Sequence, residues 1–390
     1  MKRFCILFIM IPIALIEPAC QKQAETLPQI ITATIFSEVI AEAEWSMSQE
    51  PVTLVNHICY RSAGSSNEFY SEGDYWWPDP KNPDGPYIRR DGETNPDNFV
   101  AHRQAVIRLS KIVGSLTSAY IITKDEKYAE HAITHLNAWF VNPETSMKPH
   151  LLYAQAIKGR VTGRGIGIID TIHLIEVAKS IPHLMSYNSK YNSQLEMVVA
   201  WFKEYTTWLT THPYGLEERE AKNNHGTCWV MQVAAFAQLT KNETLLNYCR
   251  ERYKKVLLPN QMAKDGSFPL ETSRTKPYGY SLFNLDAFAV ICQLLSTEDD
   301  NLWLYSTEDE LSISLGIDYM TPFIKNKDAW PFMKDVMYWD YWPIAHPFLV
   351  LSAVAYDDCE LLELWKKLDR RSEIEEVNRN WPVKNPILWF

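Results

Sequence analysis

The sequence predicts an all-α protein whose helices pair and wind into an (α/α) toroid. Apolar residues recur at three- and four-residue spacing through most of the chain, the pattern of helices that bury one face. Alternating patterns typical of strands are scarce. The helical segments follow one another without a strict sequence repeat, which suggests paired helices in a ring. In chain order, the predicted helices cover residues 30–47, 99–123, 126–140, 167–184, 193–210, 226–240, 243–257, 283–295, 311–324 and 344–355.

Two long stretches interrupt this helical rhythm. Residues 56–98 are too rich in proline and glycine for a helix and contain the run Tyr-Trp-Trp-Pro-Asp-Pro at 75–80. A linker rarely carries so many aromatic residues, so we expect this stretch to form a cleft wall or a lid. The second stretch, residues 261–280, carries charged groups and tyrosines. Neither resembles an interdomain linker, which predicts one domain over residues 21–390.

The first twenty residues have the pattern of an export signal. A basic start precedes an apolar run that reaches Ile16 and is too short to span a bilayer, which predicts a cleaved signal peptide. Cys20 after Ala19 suggests lipoprotein processing with a lipid anchor at Cys20. Glu17 and Pro18 are poor residues for that signal, so simple secretion stays open. We expect an exported protein, periplasmic or attached to the outer membrane, and no other segment predicts a transmembrane helix.

Composition limits the partners. The formal net charge is −10, which argues against nucleic acid because phosphate binding requires a basic face. An anionic substrate would therefore need local positive charge. Aromatic residues make up 13% of the chain, enough both for a large core and for rings that stack on sugars. We expect a monomer.

The cysteines and histidines predict no metal centre. The five cysteines after Cys20 are scattered and form no Cys-x-x-Cys pair, so we expect free, buried thiols. His131 and His135 have the spacing of helical zinc ligands, but Ala132 stands where a metalloprotease would have its glutamate. We expect neither a metal nor another cofactor.

The first segment that could take part in catalysis is Lys-Asn-Asn-His-Gly-Thr at residues 222–227. It leads directly into a predicted helix, so Asn224 and His225 would present an amide and an imidazole at the helix start. Taken alone, the segment is equally consistent with helix capping by Asn224 and an incidental histidine.

The second segment lies about fifty residues later, at 271–285. Arg274, Lys276, Tyr278 and Tyr280 fall in a loop constrained by proline and glycine, just before the predicted helix 283–295. Alone, this loop could be an exposed structural connection. Together with Asn224 and His225, it supplies an amide, an imidazole, a guanidinium and a phenol.

That set of groups suits β-elimination on a 4-linked uronate. Removing the C5 proton places negative charge on the adjacent carboxylate, and a guanidinium with hydrogen-bond donors stabilises that charge. A base must take the C5 proton and an acid must protonate the departing O4. Tyrosine suits both tasks if a nearby cation lowers its pKa from about 10. Glycoside hydrolysis would instead require two positioned carboxylic acids.

The ordered motifs resemble a known family. The runs Asn-Asn-His-Gly at 223–226 and Glu-x-x-Arg-Thr-x-x-x-x-Tyr-Ser-x-x-Asn-Leu at 271–285 resemble the alginate lyase domain of polysaccharide lyase family 5. The 55-residue step from His225 to Tyr280 is most similar to family 38, known from gut Bacteroides. The runs at 75–92 and 154–167 fit the same group, so the resemblance covers roughly residues 70 to 290.

The resemblance implies a fold, a reaction and roles. It implies a toroid of six or seven helix pairs with a tunnel-like cleft closed by a loop. Asn224 and Arg274 would hold and neutralise the substrate carboxylate, His225 would be base or neutraliser, and Tyr280 the acid. For mannuronate, Tyr280 could serve as base and acid in turn, whereas for guluronate His225 could take the proton. Arg89 or Arg90 could supply the basic residue that family 5 places in its lid.

Further residues are expected to bind the anionic chain. A polar, basic cluster could meet substrate carboxylates, and several aromatic residues could stack on sugar rings, although core packing is as consistent for each ring alone. These predicted substrate-binding residues are Gln155, Lys158, Arg160, Arg164, Arg90, Trp76, Trp77, Tyr87, Tyr278, Trp339 and Tyr341.

We therefore expect an alginate lyase that leaves 4,5-unsaturated uronate ends. A lyase acting on glucuronan or another polyuronate, a glycoside hydrolase on the same toroid, and an inactive sugar-binding lipoprotein remain open. The residues leave undecided whether mannuronate or guluronate is preferred and whether cleavage is endo or exo.

Overall fold

The computed structural model describes residues 25–390, so the predicted signal peptide and Cys20 lie outside the described range. Within that range helices dominate, and the all-α prediction is confirmed. The helices are α1 (Leu27–Met47), α2 (Ala101–Thr123), α3 (Glu126–Phe140), α4 (Leu174–Met185), α5 (Asn192–Thr211), α6 (Pro213–Arg219), α7 (Asn224–Leu239), α8 (Glu243–Arg252), α9 (Leu258–Gln261), α10 (Pro269–Thr272), α11 (Pro277–Leu295), α12 (Ile313–Lys325), α13 (Pro347–Tyr356), α14 (Cys359–Lys366) and α15 (Glu375–Arg379).

The longer helices form two concentric layers. Helices α2, α4, α7, α11 and α13 pack side by side in that order and form the inner layer. Helices α3, α5, α8, α12 and α14 pack against its outside, each with one half-exposed face. Between α13 and α2 the ring is completed by α1, and the last residues of the chain, Pro386–Trp389, pack on α2 and α4. The predicted toroid is therefore present.

Helix α2 is long and apolar enough to cross a membrane. The sequence analysis predicted no segment of this kind after the signal peptide. Two thirds of its apolar window is buried inside the protein, where α2 packs on α1, α3 and α4. Its composition is accounted for by its place in the inner layer, because a helix surrounded by other helices is apolar on most of its faces.

Helix α11 begins six residues earlier than the periodicity predicts. Pro277 occupies its first turn, where proline costs no hydrogen bond. The carboxylate of Asp335 caps this turn by accepting from the backbone N–H groups of Tyr278 and Gly279, both at 2.9 Å. Because the cap comes from a residue distant in sequence, the local pattern reads as a loop. Tyr280 therefore lies on a helix, and its predicted loop position was wrong.

Short strands shape the stretch before α2. Strand β1 (Tyr70–Glu72) pairs in parallel with β4 (Tyr153–Ala156), and β2 (Trp76–Trp77) pairs antiparallel with β3 (Ile88–Arg89). We call residues 73–95, which include β2 and β3, the hairpin loop. The parallel pair fixes the start of the hairpin loop next to residues 153–156, at the end of the ring where α7 and α11 begin.

The cysteines after Cys20 are all free, as expected. Three of them, Cys228, Cys249 and Cys292, are buried, whereas Cys59 is half-buried and Cys359 is exposed. The expectation of buried thiols therefore holds for the three that lie on α7, α8 and α11.

Candidate active site

Two helix starts bring the predicted catalytic residues together. Helices α7 and α11 are neighbours in the inner layer, and their first residues lie at the same end of the ring. A cavity of about 300 Å³ opens there and is lined by Asn224, His225, Arg274 and Tyr280. Four groups that the sequence placed in two separate segments thus share one wall of one cavity.

His225 is oriented by a buried carboxylate. Its Nδ1 lies 2.7 Å from Oε1 of Glu218, a fully buried residue of α6. Burial raises the pKa of Glu218, while the neighbouring His225 opposes the rise. With Glu218 ionised, Nδ1 must carry the hydrogen, because a carboxylate only accepts. Nε2 is then the nitrogen with a free lone pair, and the ring is 20% exposed.

Asn224 is held by a second buried carboxylate. Its backbone N–H donates to Oε1 of Glu271 and its Nδ2 donates to Oε2, both at 2.8 Å. Burial raises the pKa of Glu271, and the hydrogen bonds from Asn224 and the charge of Arg274 oppose the rise. This pairing fixes the amide plane and leaves one N–H of Nδ2 for a ligand.

Arg274 joins the hairpin loop to the helical wall. Its Nε and Nη2 donate to the two carboxylate oxygens of Asp91 at 3.1 and 2.9 Å, and Thr275 donates to the same group at 3.0 Å. Burial alone would raise the pKa of Asp91, but the hydrogen bond and charge of Arg274 lower it to about 2. Gly92 permits this contact, because its φ is +78° and a Cβ would lie 2.4 Å from Oγ1 of Thr275.

Tyr280 is a neutral phenol in this structure. The Arg274 guanidinium lies 4.8 Å from its ring centroid, and we expected such a cation to lower the tyrosine pKa. The opposite holds: burial, with Tyr75 and Glu376 nearby, raises the pKa of Tyr280 well above its usual value, and Arg274 offsets only part of this. Because only 6% of Tyr280 is exposed, desolvation outweighs one cation. The phenol is therefore protonated and able to donate its hydrogen.

Tyr75 is a site residue that the sequence analysis did not single out. Its hydroxyl lies 2.6 Å from that of Tyr280, and it lines the cavity from the hairpin loop. Its only local signal is the run 75–80, in which the two tryptophans drew more attention. Arg379 and Asn380 also line the cavity, from a part of the chain with no recognisable motif. Asp91 acts on Arg274 from 183 residues away in the sequence, and Glu218, seven residues before His225, belongs to no motif that marks it.

Three predicted substrate-binding residues line the cavity: Gln155, Arg164 and Trp76. Arg164 donates from Nε to the backbone oxygen of Gln155 and from Nη2 to its Oε1, both at 2.9 Å. Burial lowers the pKa of Arg164 to about 10, so the group remains charged at neutral pH. A fixed cation beside an indole is a suitable surface for an acidic sugar.

Five others lie on the hairpin loop or next to it in space. Arg160 lies over the Trp76 ring at 5.1 Å and Lys158 over the Tyr87 ring at 5.5 Å. Arg90 lies over the Trp77 ring at 4.9 Å. These contacts rigidify the loop, and the five residues concerned, Lys158, Arg160, Trp77, Tyr87 and Arg90, are outside the cavity lining.

The last three predictions need correction. Tyr278 is fully buried, packs on Trp330 and donates to the backbone oxygen of Phe323, so it has no access to a substrate. Trp339 packs on Tyr278, and Tyr341 is exposed, but neither lines the cavity. Tyr278 points away from the cavity because it lies on α11 two residues before Tyr280, on another face of the helix.

Two further observations define the site. A larger cavity of about 620 Å³ lies between α1, α2, α13 and the C-terminal residues, but it contains none of the four catalytic candidates. In residues 25–390, no group of three or more His, Cys, Asp or Glu side chains could hold a metal ion.

A helical toroid with an imidazole, a guanidinium, an amide and a phenol around one cavity is the arrangement expected of a polysaccharide lyase. The Alginate lyase family model matches residues 56–330, more than half of the chain, and the protein belongs to this family. It is accordingly a polysaccharide lyase with activity on alginate.

Solved structures agree with this assignment. An alginate lyase from Bacteroides ovatus superposes with a TM-score of 0.78 and 29% identity, over 92% of this chain and 93% of that one. Alginate lyase A1-III from a Sphingomonas species superposes with a TM-score of 0.55 and 14% identity, over 90% and 94%. A variant of A1-III complexed with a tetrasaccharide gives a TM-score of 0.57 at 14% identity, over 96% and 98%. The A1-III comparisons concern the fold alone, and no curated protein sequence matches the chain.

Proposed function

We propose that the protein cleaves the 1,4-linked uronate chain of alginate by β-elimination, using its own side chains and no metal ion. The observation that carries the proposal is the convergence of His225, Arg274, Asn224 and Tyr280 on one cavity. The resemblance to families 5 and 38 supports the same reaction, and so does the tetrasaccharide bound to the A1-III variant.

The roles follow from the hydrogen bonds. Arg274 and the free N–H of Asn224 would bind the substrate carboxylate and stabilise the charge that develops when C5 loses its proton. His225 would accept that proton at Nε2, since Glu218 occupies Nδ1. The C4–O4 bond breaks as the C4=C5 double bond forms, and the neutral phenol of Tyr280 would give its proton to O4. The product carries a 4,5-unsaturated uronate at its new non-reducing end.

The two sugars of alginate place different demands on this site. In guluronate the C5 proton and O4 lie on opposite faces of the ring, which suits a base and an acid on separate residues. In mannuronate they lie on one face, so Tyr280 would take part in both transfers. Because burial favours the protonated form of Tyr280, the route that needs a deprotonated Tyr280 is the more costly one, and we expect guluronate blocks to be cleaved at least as fast.

Hydrolysis finds less support. Glu218, Glu271 and Asp91 are all near the site, but His225, Asn224 and Arg274 respectively stand between these carboxylates and the cavity. Asp74 does line the cavity and is ion-paired with Arg103 and Arg379. No two carboxylates are thus free on opposite sides of a sugar in the described residues, as hydrolysis requires.

The test follows the ultraviolet absorbance of the unsaturated product with polymannuronate, polyguluronate and glucuronan in turn. We expect absorbance to rise with one or both alginate polymers and to persist in the presence of a chelator. A rise only with glucuronan would transfer the activity to another polyuronate. New reducing ends without absorbance would indicate a hydrolase, and loss of activity with chelator would contradict the metal-free mechanism.

We also propose that the protein is a monomer exported to the periplasm or the outer membrane. The support is the apolar start of the chain and Cys20 after Ala19. Mass spectrometry of the mature N-terminus would distinguish a lipid on Cys20 from simple cleavage. A mature chain that retains its first twenty residues would contradict export, and size-exclusion chromatography with light scattering would test the monomer.

A further inference from the structure

The end of the chain reaches the active site from outside the family-matched region. The C-terminal segment (residues 375–390) begins with α15 at the cavity and ends between the inner helices α2 and α4. Its far end is anchored by Glu176 of α4, which accepts from the backbone N–H of Asn385 at 2.8 Å and from its Nδ2 at 2.9 Å. The segment is thus fixed in the ring at one end while its other end contributes to the cavity.

Arg379 is the residue that this segment places in the cavity. Its Nη1 lies 2.6 Å from Asp74 and its Nη2 lies 3.2 Å from Glu376. Nη2 also donates to the hydroxyl of Tyr75 at 3.3 Å. Burial alone would lower the pKa of Arg379, but Asp74 and Glu376 more than offset this, so the group stays a cation.

A second cation, Lys276, also contacts the Tyr75 hydroxyl. Nζ of Lys276 lies 3.5 Å from the Tyr75 hydroxyl and 2.8 Å from Glu376. Glu376 therefore anchors both cations, and it belongs to α15. Ammonium and guanidinium groups only donate hydrogen bonds, so both contacts occupy lone pairs of the Tyr75 oxygen.

This arrangement determines the direction of the bond between the two tyrosines. With its lone pairs engaged by Arg379 and Lys276, Tyr75 must direct its own hydrogen to the oxygen of Tyr280, 2.6 Å away. Tyr280 then does not donate its own hydroxyl hydrogen to Tyr75. Its hydrogen is free for a group in the cavity, which is where the departing O4 has to be protonated.

We propose that Arg379 is a positioning residue for the lyase reaction, acting through Tyr75 to aim the proton of Tyr280 at the substrate. The inference rests on the proposed role of Tyr280 as the acid. On this proposal the C-terminal segment contributes a functional residue to the active site. Without the guanidinium, Tyr75 could accept from Tyr280, and the acid would be directed away from O4.

The test is a double-mutant cycle in the full-length protein, followed by product absorbance on alginate. Arg379→Met, which removes every donor, is expected to lower kcat about 10- to 100-fold, within the range of general acid catalysis, with KM changed less than about 3-fold. Arg379→Lys keeps a donor and a charge and should recover part of the loss. Arg371→Met, on the exposed part of the preceding stretch, should retain wild-type kcat.

The decisive comparison is made in the Tyr75→Phe background. If Arg379 acts through Tyr75, adding Arg379→Met should lower kcat no more than about 3-fold further. Two losses that multiply, or full kcat in Arg379→Met, would overturn the proposal. Should Arg379→Met fail to fold, Arg379→Lys replaces it in both backgrounds: a loss of kcat seen with Tyr75 and absent in the Tyr75→Phe background supports the proposal, and an equal loss in both overturns it.

The same assay separates this inference from the proposed function. A wild-type protein that makes no unsaturated product would refute the function itself. A wild type that cleaves alginate, with an inactive Tyr280→Phe and a fully active Arg379→Met, would refute only the role of Arg379.

Discussion

The two walls of the active-site cavity are built differently. The helical wall presents Asn224, His225 and Tyr280 from the first turns of α7 and α11, in the interior of the ring. The opposite wall consists of the hairpin loop and α15, which present Tyr75, Trp76 and Arg379. Fully buried carboxylates orient the helical wall, whereas the opposite wall is joined to it by polar side-chain contacts.

The residues proposed to react with the substrate and the residues of the opposite wall thus lie on different kinds of structure. The groups proposed to exchange protons lie on helices whose backbone is fixed by packing, and Arg274, proposed to neutralise charge, lies just before α11. The carboxylates that orient them, Glu218 and Glu271, lie on α6 and α10, whereas the residues of the opposite wall lie on a loop and a short terminal helix. The helical wall should therefore control kcat directly, and the opposite wall should act through it.

The largest effect is expected for Tyr280→Phe, which removes the acid from the helical wall and keeps the ring. If the neutral phenol gives its proton to O4, as proposed, kcat should fall about 10²- to 10⁴-fold with little change in KM. Steady-state absorbance on alginate measures this, with Tyr248→Phe on the outer helix α8 as the control. Full activity in Tyr280→Phe would mean that another group protonates O4.

Glu218→Gln should have the next largest effect. The amide can donate to Nδ1 of His225 and so favour the tautomer in which Nε2 carries the hydrogen, which removes the base. We expect kcat to fall about 10- to 100-fold, as for other residues that orient a functional histidine. Glu217→Gln, the exposed neighbour, is the matched control. Equal kcat in the two variants would show that the carboxylate does not orient the imidazole.

Asp91→Asn tests the link between the two walls. The pKa of Asp91 is about 2 in the folded protein and about 3.9 in an unfolded chain, so ionised Asp91 stabilises the fold above about pH 4. That stabilisation is lost as the pH falls through 2. We expect a stability loss of about 1 to 2 kcal/mol at pH 7 and a several-fold rise in KM.

The measurement for Asp91 is the unfolding temperature of wild type and variant across pH. The difference between the two should be largest above pH 4 and should close towards pH 2. Asp97→Asn, an exposed position after the hairpin loop, provides the baseline. A difference independent of pH would show that the contact with Arg274 is not ionic.

The smallest effect is expected for Tyr278→Phe. This change removes one buried hydrogen bond to Phe323 and should cost about 1 kcal/mol of stability while kcat and KM stay at wild-type values. Thermal unfolding and steady-state kinetics on the same sample check both statements. A higher KM would show that Tyr278 contributes to substrate binding, as the sequence analysis predicted.

The comparison of walls also explains what could be predicted from the sequence. The inner helices, the four reactive groups and the cleft-wall character of residues 56–98 follow from patterns within a few residues of one another. Tyr75 and Arg379 could not be predicted, because each acts on a residue that the fold brings near from elsewhere in the chain, and Glu218, seven residues before His225, belongs to no motif that marks it. The predicted lowering of the Tyr280 pKa was wrong for a related reason. Burial raises that pKa, and the burial depends on packing that no local pattern shows.

The central claim is that alginate is cleaved by elimination at this cavity, and the masses of the products test it most directly. Digestion by the wild-type protein should yield oligouronates whose new non-reducing ends lack one water relative to a saturated uronate. A digest in which those ends are saturated, with one water added at each cleavage, would contradict the account.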